Sequence, residues 1–142
     1  MPSKRLGPGA AQPAPVDLGS PEAARAAFAV FSRIGDQWGL DASERQKLLG
    51  ASRSTFYRWL GGQFASGFDG ATLERLSYLF RIHAALRMLL PVPERAQAWV
   101  RQPNAAPLFG GASALDRMLG GRVGDLMVVA DYLDAQRGGD FA

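Results

Sequence analysis

Residues 43–62 read SERQKLLGASRSTFYRWLGG, and this stretch decides the fold. Ser43 is placed to cap a short helix that ends at Gly50, and Ser52 or Ser54 is placed to cap a second helix that ends at Gly61-Gly62. Two short helices joined by a tight, glycine-containing turn form the helix-turn-helix pattern. The side chains expected to pack these helices together are Leu48, Leu49, Phe56, Trp59 and Leu60.

Polar side chains occupy the start and the outer side of the second helix. In a helix-turn-helix this helix enters the major groove, where arginine reads guanine or contacts phosphate. Residues 41–62 carry four cations against two carboxylates, which is a modest basic surface. The pattern predicts DNA binding through Arg53, Ser54, Thr55, Tyr57 and Arg58. The alternative is a helical hairpin that has this shape without the DNA contacts.

Helical spacing continues on both sides of this unit. Apolar residues recur at helical spacing after the start signal Ser20-Pro21-Glu22, and Gly39 ends that helix. Asp69 is a possible cap for a long helix that is apolar over more than one face and is therefore expected at the centre. No alternating strand pattern of useful length occurs, so we predict an all-α fold. The expected helices outside the helix-turn-helix cover residues 21–38, 70–90, 94–101, 114–119 and 122–136.

Length and composition restrict the class of protein. The 142 residues suffice for one domain or two small units, and the absence of cysteine excludes disulfides and thiolate zinc sites. Lys4 and Arg5 precede Gly, Pro and Ala residues rather than an apolar run, so we expect neither a secretory signal nor a membrane anchor. We therefore expect a cytoplasmic protein. The expected organisation is a disordered tail over 1–19, a helix-turn-helix and dimerisation region over 20–91, and a C-terminal helical unit over 92–142.

Catalytic signals are weak throughout the chain. His83 is the only histidine, and its place on the central helix favours packing or surface exposure over catalysis. The sequence has no G-x-S-x-G, P-loop or G-x-G-x-x-G pattern. Asp125, Asp131 and Asp134 share one helix, but their spacings do not gather all three at one point. We predict that the protein is not an enzyme and has no catalytic residue, no metal site and no cofactor.

The last helix carries two apolar stripes. One stripe, expected to face the core, contains Val123, Leu126, Met127, Ala130 and Leu133. The second contains Val128, Val129 and Tyr132, beside Asp125. A chain of this size has few elements to cover both stripes, and Tyr is a common interface anchor. We predict that the second stripe binds another polypeptide, with Arg122 and Asp125 fixing the orientation; the alternative is that both stripes are buried within the monomer.

A series of motifs follows the helix-turn-helix and the long Leu-rich helix. In order they are Trp99 with Pro103-Asn104, Leu108-Phe109-Gly110-Gly111, Ala114-Leu115-Asp116, Leu119-Gly120-Gly121, and Val128 to Leu133 ahead of a glycine pair. Over roughly residues 22–139 this order resembles the Xre/MbcA/ParS type of bacterial antitoxin. The resemblance implies an N-terminal Xre-like helix-turn-helix bundle followed by a small helical toxin-binding domain.

The same resemblance implies partners. Antitoxins of this type neutralise RES-domain toxins, which consume NAD or transfer ADP-ribose from it, and they are homodimers that in many cases repress their own operon. Carried onto this chain, Trp99, Asn104, Phe109, Leu115 and the helix over 122–136 form the toxin-binding domain. The segment after Arg137 then reaches toward the active cleft of the toxin.

Two other classes of function remain open from the sequence. A helix-turn-helix transcriptional regulator without a toxin partner would use its C-terminal region only for dimerisation. A small enzyme is the less favoured class, because no catalytic constellation is present. Binding of operator DNA is compatible with both the antitoxin and the regulator.

Overall fold

The computed structural model describes residues 17–139, and this part of the chain is helical with no strand. The all-α fold class is therefore confirmed. A short 3-10 helix covers Pro107–Phe109. The α-helices are α1 Pro21–Trp38, α2 Ala42–Leu49, α3 Arg53–Leu60, α4 Gly70–Leu89, α5 Pro93–Arg101, α6 Ala114–Met118 and α7 Val123–Gln136.

A tail is predicted over residues 1–19, and its residues 1–16 lie outside the described part of the chain. Its last three residues, 17–19, form a turn that is held against the loop before α4. The Gly67 amide donates to the Gly19 carbonyl at 2.8 Å. A side chain on Gly67 would collide with the Leu18 carbonyl, so only glycine permits this approach. This backbone contact gives residues 17–19 a defined position, while the domain boundaries stay a prediction.

Side-chain caps begin most of the helices, as the sequence predicts. The one wrong assignment is the cap of α2, which is Asp41 rather than Ser43. The Asp41 carboxylate accepts from the Glu44 amide at 2.8 Å, and the Glu44 side chain accepts from the Asp41 amide at 2.9 Å. This reciprocal pair satisfies two free donors at once and places Ser43 inside the first turn. The caps confirmed are Ser20 for α1, Ser52 for α3, Asp69 for α4 and Ser113 for α6.

One hydrophobic core runs through both halves of the described chain. The central helix α4 contacts α1, α2, α5 and α7, so its buried residues lie between the two units. Side chains from the first half, such as Trp38 and Phe56, belong to the same buried cluster as Met118 and Leu133 from the second half. The two units expected from the sequence therefore both pack against α4. The fully enclosed residues of α4 are Leu76, Leu79, Ile82, Ala85 and Leu86.

Arg101 joins the end of α5 to the end of α1. Its Nε donates to the Trp38 carbonyl at 3.0 Å and its Nη2 to the Gly39 carbonyl at 2.6 Å. The same guanidinium pairs with Glu44 at 3.1 Å. A cation at a helix C-terminus satisfies carbonyls that lack helical partners. This contact fixes how α5 lies against the first two helices.

Candidate functional site

Buried aromatic residues anchor α3 to the rest of the protein. Phe56 is completely enclosed and lies 6.0 Å, between ring centroids, from Phe28 on α1. Trp59 packs edge-on against Phe68 at 4.7 Å. Edge-to-face pairs at these distances add to the energy of burial. The orientation of α3 on the protein surface is therefore well defined.

The structure brings the five residues predicted to bind DNA to the open side of α3. The four side chains of Arg53, Ser54, Tyr57 and Arg58 are exposed, and that of Thr55 is half-buried. At 3.6 residues per turn, Ser54 and Tyr57 lie at the centre of this side and the two arginines lie at its edges. Their contact with DNA stays a prediction.

Local interactions hold both arginines of α3 in place. The Arg53 guanidinium lies 5.0 Å from the centroid of the Tyr57 ring, which is a cation–π geometry. Arg58 donates to the Thr55 hydroxyl at 3.1 Å. Thr55 also accepts from the hydroxyl of Ser52 at 2.9 Å. Each cation therefore has a local partner on α3 while its side chain stays exposed.

Leu60 does not pack between α2 and α3 as the sequence predicts. Its side chain is 47% exposed. Helical geometry places Leu60 about 40° around the axis from Phe56, on the side away from Trp59. At that angle the Leu60 side chain lies outside the part of the α3 surface that packs against the core.

A polar groove of about 420 Å³ lies beside α3, toward the start of α4. Hydroxyl and amide side chains line this groove, and such groups can donate hydrogen bonds to phosphate oxygens. Asp69 borders the groove, and donation by the Thr72 amide and hydroxyl holds the pKa of this carboxyl below its ordinary value. The polar residues that line the groove include Ser52, Thr55, Arg58, Gln63, Ser66 and Thr72.

Three aromatic residues form the centre of the C-terminal unit. Tyr132 of α7 stacks on Trp99 of α5 at 6.5 Å and meets Phe109 edge-on at 5.2 Å. Trp99 and Phe109 are buried, as is Leu115 of α6. Three of the residues that the resemblance assigns to toxin binding therefore lie inside the domain, where they shape it and offer no open surface.

Asn104 and Asp125 have structural partners within this unit. The Asn104 side chain accepts from the Ala106 amide at 2.9 Å and so shapes the loop after α5. Asp125 accepts from Arg117 at 3.0 Å and from the Arg122 amide at 3.3 Å, which caps the start of α7. Arg117 was missed by the sequence reasoning, because an ion pair that crosses a turn leaves no periodic signal.

The division of α7 into two stripes is wrong at two positions. Val129, expected to face a partner, is completely buried, whereas Met127, expected in the core, is 39% exposed. The buried arc of α7 is centred near Leu126 and Leu133, and Met127 lies about 100° around the axis from Leu126. The core covers one continuous arc, and that arc includes Val129.

The open side of α7 combines apolar side chains with one carboxylate. We call the surface formed by Met127, Val128, Asp131 and Ala135 the α7 face. Val128 is half-buried and the other three are exposed, while Tyr132 lies half-buried at one edge. Arg122 and Arg137 are exposed near the two ends of the helix. Asp131 and Asp134 both pair with Arg81 of α4, so this group of ion pairs includes one residue of the face and one beside it.

Neither a cluster of metal ligands nor a membrane-spanning helix occurs among the described residues. Within 17–139, no group of three or more His, Cys, Asp or Glu residues could hold a metal ion. His83 is hydrogen-bonded to Gln37 at 2.8 Å, and burial, with Arg87 nearby, lowers the pKa of its imidazole. No helix in this range combines the length and the apolar character needed to cross a bilayer.

Comparison with known proteins assigns both halves of the chain. Residues 17–81 match the antitoxin Xre-like helix-turn-helix domain, and residues 85–139 match the antitoxin Xre/MbcA/ParS C-terminal toxin-binding domain. A protein of Sinorhizobium fredii (strain NBRC 101917 / NGR234), the uncharacterized protein y4oB, is 51% identical over 112 residues, which cover 77% of this chain and 82% of the relative. The chain belongs to the Xre/MbcA/ParS family of antitoxins, with a helix-turn-helix domain ahead of a toxin-binding domain.

Proposed function

We propose that this antitoxin neutralises a RES-domain toxin, an enzyme that consumes NAD or transfers ADP-ribose from it, by covering its surface with the α7 face. The observation that carries the proposal is an open helix face with the apolar residues Met127 and Ala135 exposed, inside the domain that matches a toxin-binding family. A stoichiometric inhibitor of this kind needs to bury about 1,600 Å² or more. In this proposal the antitoxin inhibits the toxin by covering its surface and catalyses no reaction.

The chemistry of the α7 face suits a protein partner. Met127 and Val128 supply apolar contact area, and methionine adapts its shape to irregular surfaces. Contiguous exposed apolar surface on a small protein commonly marks an interaction site. The cations Arg122 and Arg137 near the ends of the helix are placed to fix orientation, as charged rims do in other interfaces.

The aromatic cluster beneath α7 supports the same proposal. Because Tyr132 is held by Trp99 and Phe109, the helix is fixed before any partner arrives. A pre-organised surface loses less conformational entropy on binding than a mobile one. This gives the buried residues of the toxin-binding domain a role in affinity without direct contact.

We propose in addition that α3 binds operator DNA and that the protein represses its own operon. Arg53 and Arg58 flank Ser54 and Tyr57, an arrangement that suits phosphate contacts on both sides of a base-reading centre. A homodimer would present two such helices to two half-sites. Both proposed partners, the toxin and the operator, would place the protein in the cytoplasm.

Co-expression with the neighbouring open reading frame tests the toxin proposal. We expect the neighbour alone to stop growth and deplete cellular NAD, and co-expression to restore both while the two proteins purify together. Growth arrest with unchanged NAD would contradict the RES-type chemistry. Failure of the two proteins to purify together, with a gel shift of the upstream DNA retained, would favour a regulator without a toxin partner.

A further inference from the structure

Arg75 of α4 joins the helix-turn-helix to the start of α7. Its Nη2 donates to the Gly121 carbonyl at 2.7 Å and its Nη1 to the Leu48 carbonyl at 3.4 Å. The guanidinium also lies against Gly50, where a Cβ would come within 2.7 Å of the Arg75 Nε. One half-buried side chain therefore contacts both turns.

The two turns lead directly into the two proposed binding surfaces. Leu48 belongs to the last turn of α2, and Gly50 opens the turn into α3. Gly121 immediately precedes Arg122 and the first residue of α7. A planar guanidinium has five donors in a fixed fork, so it can hold two carbonyls in a set relative position. Arg75 therefore links the two turns directly.

We propose that Arg75 is a positioning residue that couples the two surfaces, so that toxin bound to the α7 face changes the affinity of α3 for DNA. Movement of Gly121 on toxin binding shifts the turn at Leu48 and Gly50 and reorients α3. Thermodynamic linkage requires that DNA changes the affinity for toxin by the same factor. The inference rests on the proposed function, since it needs both partners.

Arg101 offers a matched control for this role. It also joins the C-terminal unit to the helix-turn-helix unit, through carbonyls of α1 and the Glu44 carboxylate of α2. Its contacts lie at the start of α2 and at the end of α5, away from the turn into α3 and from the start of α7. Loss of Arg101 removes a similar number of bonds between the units without touching the proposed connection.

A binding cycle with the full-length protein measures the coupling. The affinity for a duplex from the region upstream of the gene is measured with and without a saturating, catalytically inactive form of the toxin from the neighbouring reading frame. For the unchanged protein we expect the two affinities to differ by roughly 5- to 150-fold, the usual range of allosteric coupling. Arg75→Ala is expected to bring this ratio to within about twofold of one, whereas Arg101→Ala retains it.

A purely structural role for Arg75 gives a different result. Both substitutions would then lower the melting temperature and leave the ratio unchanged. A ratio retained by Arg75→Ala, lost equally in Arg101→Ala, or equal to one in the unchanged protein overturns the inference. Should Arg75→Ala fail to fold, Arg75→Lys serves instead, because an ammonium lacks the fork that holds both carbonyls; its full retention of the ratio also overturns the inference.

Failure of the proposed function is recognised separately. In that case the unchanged protein binds no toxin or no upstream DNA, and the inference falls with it. When both partners bind singly and only the coupling is absent, the proposed function stands and the role of Arg75 is refuted.

Discussion

Met127→Asp is expected to abolish toxin neutralisation without unfolding the protein. In the free protein Met127 is 39% exposed, so a carboxylate there remains hydrated. Surface substitutions of this kind change the free energy of unfolding by about 0.5 kcal/mol or less. Asp131, four residues further along α7, adds a like-charge repulsion of roughly 0.2–0.5 kcal/mol. The free energy of unfolding should therefore fall by no more than about 1 kcal/mol.

In the complex the same carboxylate has a much larger effect. On the α7 face it would lose its water and face apolar groups of the partner. Loss of a central interface anchor costs about 2–4 kcal/mol. Since 1.4 kcal/mol corresponds to a factor of ten, the Kd for the toxin should rise about 30- to 700-fold.

Calorimetric titration with the inactive toxin and thermal unfolding by circular dichroism together test this expectation. Val30→Asp is the matched control, because Val30 on α1 is 37% exposed and lies on another helix from the α7 face. It should retain both the Kd and the melting temperature. A Met127→Asp protein with an unchanged Kd, or an equal loss in Val30→Asp, would show that the toxin binds elsewhere.

Val129 shows why the choice of position on α7 matters. It is completely buried, so Val129→Asp would place a carboxylate in the core at a cost of several kcal/mol. That cost is comparable with the whole stability of a typical domain, about 5–15 kcal/mol. Loss of toxin binding by Val129→Asp would therefore report unfolding and say nothing about the interface.

Three further expectations concern DNA binding, stability and pH. Arg53→Ala and Arg58→Ala should each weaken binding to the upstream duplex and lower the salt slope by about 1, measured by fluorescence anisotropy at several salt concentrations. Tyr132→Ala should lower the free energy of unfolding in urea by about 2–3 kcal/mol, since it removes a half-buried ring that contacts both Trp99 and Phe109. Burial lowers the pKa of His83, so the unfolded chain binds its proton more readily; stability should fall as pH drops below about 6.5, and His83→Gln should flatten that slope.

Controls for these three measurements come from the same chain. Arg95→Ala removes an exposed arginine from α5 and should leave the salt slope unchanged; an equal effect would indicate a general charge contribution. Tyr132→Phe retains the ring and should lose little stability, and a loss as large as that of Tyr132→Ala would contradict the stacking argument. An unchanged pH dependence in His83→Gln would assign the slope to other groups.

Much of the fold could be predicted from local sequence. The helix-turn-helix, the long central helix and the later short helices all follow from caps, glycine stops and apolar spacing. These rules depend on neighbours three or four residues away, so Ser20 and Asp69 could be identified as caps without tertiary information. The wrong cap predicted for α2 arises from the same local rules. Asp41 and Ser43 can both cap a helix, and only the hydrogen bonds of the folded chain show that Asp41 does so.

The exposed sides of the helices could be predicted less well. Val129 and Met127 are both apolar. When a helix carries two apolar stripes, its sequence alone does not show which of them packs against the core. Leu60 was misplaced for the same reason. The position of α4, which α7 packs against, decides the buried arc.

By itself the sequence determined the helices, their order, the family motifs and the polar outer side of α3, because each depends on short-range patterns in the chain. Only the tertiary structure decided that both units share one core, that Tyr132 stacks on Trp99 and meets Phe109 edge-on, and that Met127 faces outward. It alone placed Arg75 between carbonyls that are 27 and 46 residues away. The physical reason is that contacts between distant residues depend on how whole helices pack, and packing leaves no periodic trace in the sequence.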